Sequence, residues 1–219
     1  VRGSNFKNWG NTIVSQNTDY NQLVAIFYNT EDPELSDKKL REALSYAIPP
    51  KFSEGVRAYS PIRANSIYFA QSPNYGISDI SISNDLLSDK SDSKKKTYEI
   101  DTTDDLMPVA KVVSDSWKKI GIKTKIKTVD SIPHNFQMLI YPIKLPLDPD
   151  QYTLWHSKGE NNISNFHKNQ RIDKLLEDGR STNDTEKRIL IYSDFQKYLI
   201  DEAPATFLYY PQTYSVKKK

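Results

Sequence analysis

The chain has 219 residues, with 30 Lys and Arg against 28 Asp and Glu, so its formal net charge is +2. This near balance argues against a dedicated nucleic-acid binder, which usually concentrates basic residues on one face. The sequence contains no cysteine, which excludes disulfides, thiolate catalysis and cysteine-based metal centres. No apolar run approaches the roughly 20 residues that a membrane-spanning helix requires.

The chain begins at Val1 without an initiating Met, and its first residues lack the basic-then-apolar order of a signal peptide. We therefore expect it to be a piece of a longer protein. Residues 1–21 are polar and predict a loop-like N-terminal segment, whereas residues 22–216 predict one domain and residues 217–219 a basic tail. Within the domain, Pro and Gly residues predict an irregular insertion at about residues 51–97.

The first predicted elements are a buried strand over residues 23–28, which are apolar and β-rich, and a helix capped by Ser36 or Asp37. Pro49 and Pro50 end this helix because neither supplies a backbone N–H. Apolar residues at three-to-four spacing place one stripe of the helix on a core: Leu40, Ala43, Leu44 and Ala47.

Regular structure is expected again from Asp104, since Thr103 or Asp104 can cap a second helix. Gly121 supplies a left-handed cap at the end of that helix. Residues 122–128 then alternate Ile or Thr with Lys, which predicts a strand with one buried and one solvated face.

The last third of the chain continues this alternation of strands and helices, which indicates an α/β or α+β class with a mixed sheet. The further predicted elements are a strand over 136–143, a short helix through Tyr152 and Trp155, a helix ending near Gly179, a long helix capped by Asp184 and a strand over 205–210.

No catalytic or metal-binding motif emerges from the sequence. His134, His156 and His167 lack the spacing of a zinc peptidase, and the nucleophile elbow, the P-loop and the dinucleotide fingerprint are all missing. Asp148 and Asp150 flank a proline, which favours turn and helix-cap roles over paired acid–base carboxylates. We therefore expect neither a cofactor nor a metal.

Aromatic residues around the proline-interrupted strand are the stronger candidate for recognition. Tyr141, Tyr152 and Trp155 flank irregular backbone, which suits a pocket that binds a ligand by stacking and contact area. The same pattern is equally compatible with ordinary core residues.

Several short motifs follow one another along the chain. Tyr28-Asn29-Thr30 and Pro33 precede residues 37–48, which read DKKLREALSYAI. The later motifs are Trp117 to Ile122, Asp148-Pro149-Asp150, Asn162 to Phe166, Ile172 to Leu176 and a closing section from Arg188 to Tyr210. In this order they resemble extracellular solute-binding proteins of family 5, the oligopeptide-, dipeptide- and nickel-binding receptors of ABC importers.

The resemblance implies a fold and a place in the cell. The fold would be α/β, the C-terminal lobe alone of a periplasmic-binding-protein-like (type II) fold, with a mixed β-sheet flanked by helices. The protein would be extracytoplasmic, in the periplasm or at the outer face of the cytoplasmic membrane. It would meet the membrane only through an anchor outside this chain, as a lipoprotein does.

The resemblance also implies a non-enzymatic function. A receptor of this family captures a peptide or another small solute in a cleft between two lobes and delivers it to ABC permease subunits. The expected partners are therefore the solute, the permease and the missing N-terminal lobe of the same protein, and not a nucleic acid. Clamshell closure around the solute would be the mechanism.

In peptide-binding members, the strand and loop before the Asp-Pro motif line the cleft. From their place before and after Asp148-Pro149, we predict that five residues bind ligand: Tyr141, Ile143, Lys144, Leu145 and Trp155. An Asp that pairs with the peptide amino terminus in such members falls at Leu145 here. Since Lys144 would repel an ammonium group, the resemblance leaves anionic and sugar-like solutes open beside peptides.

Two other functions stay open at this point. A hydrolase or transferase would lose turnover on a single Asp or His change, although the sequence offers no recognisable nucleophile–base set. A protein-interaction or scaffold domain would use the same lobe without transport, and would form a stable protein complex in the absence of a small solute.

Overall fold

The computed structural model describes residues 10–70, 76–167 and 169–219. The strands in these ranges are β1 (Thr12–Thr18), β2 (Gln22–Tyr28), β3 (Gly55–Arg57), β4 (Thr97–Thr102), β5 (Lys123–Thr128), β6 (Met138–Lys144) and β7 (Ala205–Lys218). The α-helices are α1 (Lys38–Tyr46), α2 (Ile80–Leu86), α3 (Ser91–Lys95), α4 (Met107–Lys118), α5 (Tyr152–Trp155), α6 (Gln170–Ser181) and α7 (Thr185–Glu202).

The described strands form one mixed sheet in the order β1-β7-β2-β6-β4-β5, with β3 paired to β7. β4 runs parallel to both β5 and β6. The other pairs are antiparallel. The expectation of a mixed sheet flanked by helices is therefore confirmed.

Helices cover both faces of this sheet, and β2 lies between them in the centre. Successive side chains of a strand point to opposite faces, so β2 contributes to two cores. Val24, Ile26 and Tyr28 pack with residues of α1 and α4. Leu23, Ala25 and Phe27 pack with residues of α5, α6 and α7. We call these the α1/α4 layer and the α5–α7 layer.

Two helices have the predicted capping residues, whereas neither Thr103 nor Asp104 caps α4 with its side chain. Asp37 accepts a hydrogen bond from the Lys39 N–H at 3.0 Å, and Asp184 caps α7 in the same way. Gly121 has a φ of +82°, the left-handed conformation that a glycine adopts at little cost. Arg41 of α1 donates to the carbonyl oxygens of Glu202 and Ala203, which fixes the end of α7 beside α1.

Both chain ends differ from the sequence prediction. Residues 12–18 form β1 rather than a loop, because they pair antiparallel with residues 212–218 of β7. Lys217 and Lys218 belong to that strand and are not a separate tail. A polar strand whose partner lies nearly the whole chain length away carries no local hydrophobic pattern. Residues 1–9 of the predicted N-terminal segment lie outside the described residues.

The predicted insertion at 51–97 is more regular than expected, since it contains β3, α2 and α3. The limits of the predicted domain stay a prediction. Within the described ranges, no helix combines the length and the apolar character needed to cross a membrane.

Candidate functional site

A groove of about 540 Å³ opens beside the end of β6, on the side of the α5–α7 layer. Tyr141, Ile143 and Lys144 of β6 line it. A loop over residues 132–136 and a second loop over residues 160–165 contribute its remaining sides, together with residues of α5. The groove therefore combines two loops with residues of β6 and α5.

The structure brings together three of the five predicted ligand-binding residues. Tyr141 is half-buried, Ile143 is 7% exposed, and Lys144 is exposed at the end of β6. All three line the groove. Their role in binding stays a prediction.

The other two predicted residues, Leu145 and Trp155, lie in the core instead. Trp155 is 1% exposed, and its ring stacks on Phe27 with the ring centroids 6.0 Å apart. Its indole N–H donates to Gln151 at 3.2 Å. Leu145 is 3% exposed in the same cluster. Here the reading of aromatics as ordinary core residues is right, because an apolar face of a one-turn helix must pack on the sheet to be stable.

Asn29 and Thr30, directly after β2, connect the two loops of the groove. The Asn29 side chain donates to the Phe136 carbonyl at 2.9 Å and accepts from the Asn165 amide at 3.0 Å. The Thr30 hydroxyl donates to the Asn165 carbonyl at 2.8 Å. Since Asn165 has a φ of +49°, these bonds hold a backbone conformation that is uncommon outside glycine. The Asn-Thr motif is thus a support for the groove.

Asp148 and Asp150, in the loop after β6, form ion pairs with arginines of α7 and α6. Asp148 accepts two hydrogen bonds from Arg188, at 2.6 and 2.8 Å, and this guanidinium lowers the pKa of the Asp148 carboxyl. Asp150 accepts from Arg180 at 2.7 Å and from the Tyr152 N–H at 2.9 Å. The predicted turn roles are confirmed, since each aspartate accepts a hydrogen bond from the backbone N–H two residues later. The predicted cap role is wrong, because the N-cap residue of α5 is Gln151 and no side chain caps that helix.

The groove charges that stay outside these ion pairs are of both signs. Lys144 and Glu160 are exposed, line the groove and form no ion pair with another described residue. Asp150 also lines the groove but is occupied by Arg180. His134 and Phe136 also line the groove.

Sequence reasoning missed the residues of the two loops. Asn162 lies within a motif that carried the family resemblance, which was a usable signal. The loop with His134 and Phe136 offered none, because its position beside β6 arises only when the strands pair.

The remaining histidines have structural partners. His156 is 2% exposed, accepts from the Lys158 N–H at 2.9 Å and lies 3.4 Å from a Glu177 oxygen. His167 is bonded to the Ser157 carbonyl at 2.7 Å. The part of the chain that the structure describes contains no group of three or more His, Asp or Glu side chains that could hold a metal ion.

Comparisons with known proteins indicate the family to which this chain is similar. The sequence model of the bacterial extracellular solute-binding proteins, family 5 (middle), matches residues 4–165. The oligopeptide-binding protein AppA of Bacillus subtilis is 28% identical over 229 aligned positions, which cover 87% of this chain and 42% of that protein.

Solved structures show the same fold. AppA of Bacillus subtilis in complex with a nonapeptide superposes with a TM-score of 0.84 at 23% identity, over 99% of this chain and 50% of that one. NikZ of Campylobacter jejuni in complex with Ni(L-His) superposes with a TM-score of 0.86 at 22% identity, over 99% and 50%. These likenesses confirm the expected single lobe of a type II binding-protein fold.

The chain spans about half the length of these relatives. The family consists of substrate-binding proteins and not enzymes, as the resemblance implied. The match over more than half of its residues shows that this chain belongs to the bacterial extracellular solute-binding proteins of family 5.

Proposed function

We propose that this chain is the C-terminal lobe of a two-lobed receptor that captures a short peptide outside the cell membrane and delivers it to the permease of an ABC importer. The observation that carries the proposal is the groove at the end of β6 in a chain that belongs to family 5. The solute would lie between this groove and the second lobe.

The composition of the groove favours a peptide-like solute. Tyr141, Ile143 and Phe136 offer apolar contact area, and pockets for small molecules are lined predominantly by such side chains. Lys144 and Glu160 are the unpaired charges, and a peptide with free termini carries one charge of each sign. Lys144 would bind the carboxylate.

The apolar residue at position 145 affects whether the groove binds the carboxylate or the amino group of a peptide. Leu145 is buried and offers no acceptor to an ammonium group. The cation of the adjacent Lys144 repels such a group and attracts an anion. We therefore expect the carboxylate of the solute to matter more for binding at this groove than its amino group.

The test uses the complete receptor that contains this chain and three probes: trialanine, N-acetyl-trialanine and trialanine amide. Isothermal titration calorimetry should show similar affinities for the first two probes. The amide should bind about tenfold more weakly, which corresponds to the loss of one charge-assisted hydrogen bond.

Matched variants connect the affinity to the groove. Lys144→Ala should weaken trialanine binding about tenfold and remove the preference over the amide. Leu147→Ala is the control, because Leu147 is 79% exposed three residues away and does not line the groove. Equal affinity of wild type and Lys144→Ala for all three probes would refute the proposed role of the groove.

A further inference from the structure

A second cavity, of about 510 Å³, lies on another side of the lobe and shares no residue with the groove. It is bounded by the end of α1, the end of α7, the first residues of β7, and Arg57 and Tyr59. We call it the Arg57 cavity. Its walls include three tyrosine rings, those of Tyr46, Tyr59 and Tyr198.

Arg57 is a half-buried cation without an acidic partner among the described residues. Burial lowers the pKa of its guanidinium to about 10, and no carboxylate contributes to its electrostatic surroundings. A buried charge without a counter-charge is costly. By contrast, each of the arginines at positions 180 and 188 binds an aspartate in this structure.

The hydrogen bonds of Arg57 use only part of its guanidinium. Nη1 donates to the carbonyl oxygens of Ala58, Phe207 and Leu208, at the point where β7 shifts its register against β2. Among the described residues, the buried Nε has no hydrogen-bond partner and Nη2 makes no hydrogen bond. Only one of the three guanidinium nitrogens, Nη1, is therefore used to support β7.

Hydroxyl groups lie next along the cavity wall. The Ser45 hydroxyl is bonded to that of Thr206, which is also 2.8 Å from the buried Tyr28 hydroxyl. Ser45 and Thr206 both line the cavity and can donate or accept. An anion at Arg57 would therefore find further donors close by.

The acidic residues of the cavity are engaged elsewhere. Asp201 is bonded to Lys38 at 2.6 Å, and Glu42 lies 3.7 Å from the same ammonium group. Neither carboxylate is among the groups that act on Arg57.

We propose that the Arg57 cavity binds a small organic carboxylate, whose charge pairs with Nη2 of the Arg57 guanidinium and whose apolar body lies against the tyrosine rings. Arginine suits this role because its charge is delocalised over the guanidinium, and Nη2 still has N–H donors after Nη1 has bound the carbonyl oxygens. The site is independent of the solute groove.

The test follows the Nε–H resonance of Arg57 by NMR in the 219-residue chain during titration with acetate, benzoate and 3-phenylpropionate. The matched neutral probes are acetamide, benzamide and 3-phenylpropionamide. A saturable shift of Arg57 is expected for the two aromatic carboxylates, with binding at least about tenfold tighter than that of their amides. The Nε–H of Arg188, which donates to the Gly179 carbonyl, should not move.

Two variants make the result specific. Arg57→Gln should abolish carboxylate binding, but it also removes the support of β7 and can destabilise the lobe. Ser45→Leu therefore serves as the second variant, since it fills the cavity and leaves Arg57 in place. It should abolish binding with the Arg57 resonance still present. If none of the carboxylates shifts that resonance, or if the amides shift it equally, the role of Arg57 is support of β7 alone and the proposal is wrong.

Discussion

The two helical layers of the lobe are attached to the same sheet in different ways. In the α1/α4 layer, Trp117 is fully buried and its indole N–H donates to the Leu44 carbonyl at 2.9 Å, which joins the two helices. In the α5–α7 layer, charged side chains connect the helices to the loop after β6, as the Arg188–Asp148 pair does. The first layer stabilises the lobe, and the second also positions the groove. Substitutions should separate these roles.

The largest effect is expected in the α1/α4 layer. Trp117→Ala leaves a large cavity in the core and an unpaired Leu44 carbonyl, which should lower the free energy of unfolding by about 3–5 kcal/mol. Urea denaturation followed by circular dichroism measures this loss. Lys118→Ala, next to it on the exposed face, is the control and should change stability by less than about 0.5 kcal/mol. A small effect of Trp117→Ala would contradict the proposed division between the layers.

A smaller effect is expected when the α5–α7 layer is detached from the groove loop. Arg188→Gln removes the paired hydrogen bonds to Asp148, and we expect a loss of about 1 kcal/mol because the aspartate is half exposed. Arg188 lowers the pKa of Asp148. Its stabilisation is therefore present above the unfolded-state pKa of about 3.9 and is lost as the pH falls through the lower folded-state value.

The pH series provides the control for this pair. The difference in stability between wild type and Arg188→Gln should shrink below about pH 4, where Asp148 becomes protonated. A difference that stays constant down to acid pH would assign the loss to the contacts of Arg188 with Tyr68 and Tyr192 instead.

At Asp101 of β4, stability should depend on pH in the opposite direction. It is fully buried beside Leu139, both carboxylate oxygens lack a hydrogen-bond partner among the described residues, and burial raises its pKa. A raised pKa means that stability falls as the pH rises from the unfolded-state value through the folded one. Asp101→Asn should therefore stabilise the lobe at pH 7 by about 1 kcal/mol.

Thermal unfolding at pH 7 and pH 4 measures this gain, which should be smaller at the lower pH. Destabilisation by Asp101→Asn at pH 7 would mean that the charged carboxylate contributes favourably, contrary to its buried and unpaired position.

The smallest effect on stability is expected at an exposed ion pair that belongs to neither helical layer. Lys95 lies 2.9 Å from Asp92 one turn away, and both side chains are largely exposed. Solvent and salt screen such a pair, so Lys95→Ala should change stability by less than about 0.5 kcal/mol. A larger loss in the same urea assay would show that surface charges contribute more to this lobe than its cores suggest.

The sequence predicted the elements that local chemistry specifies. The caps at Asp37 and Asp184, the left-handed Gly121 and the continuous apolar run of β2 are all local signals, and the structure confirms them. β1 escaped prediction because its residues are polar and its partner lies at the other end of the chain.

In the candidate site, too, the sequence predicted what local motifs specify and missed what depends on contacts between distant residues. Tyr141, Ile143 and Lys144 were named from the motif order, and they do share a groove. Trp155 was named for its place after the Asp148-Pro149 motif and for its aromatic side chain, but its ring is buried against Phe27. Sequence spacing does not tell which face of a one-turn helix meets the sheet, and it does not bring the loop around residue 134 to β6.

We propose above that the solute contacts the groove at the end of β6. The most direct measurement is methyl NMR of isoleucine residues in the complete receptor during titration with trialanine. The Ile143 methyl resonance should shift with saturation at the calorimetric affinity, whereas that of Ile67, which is 67% exposed and outside the groove, should stay in place. Measurable trialanine binding with an unchanged Ile143 resonance would contradict the claim.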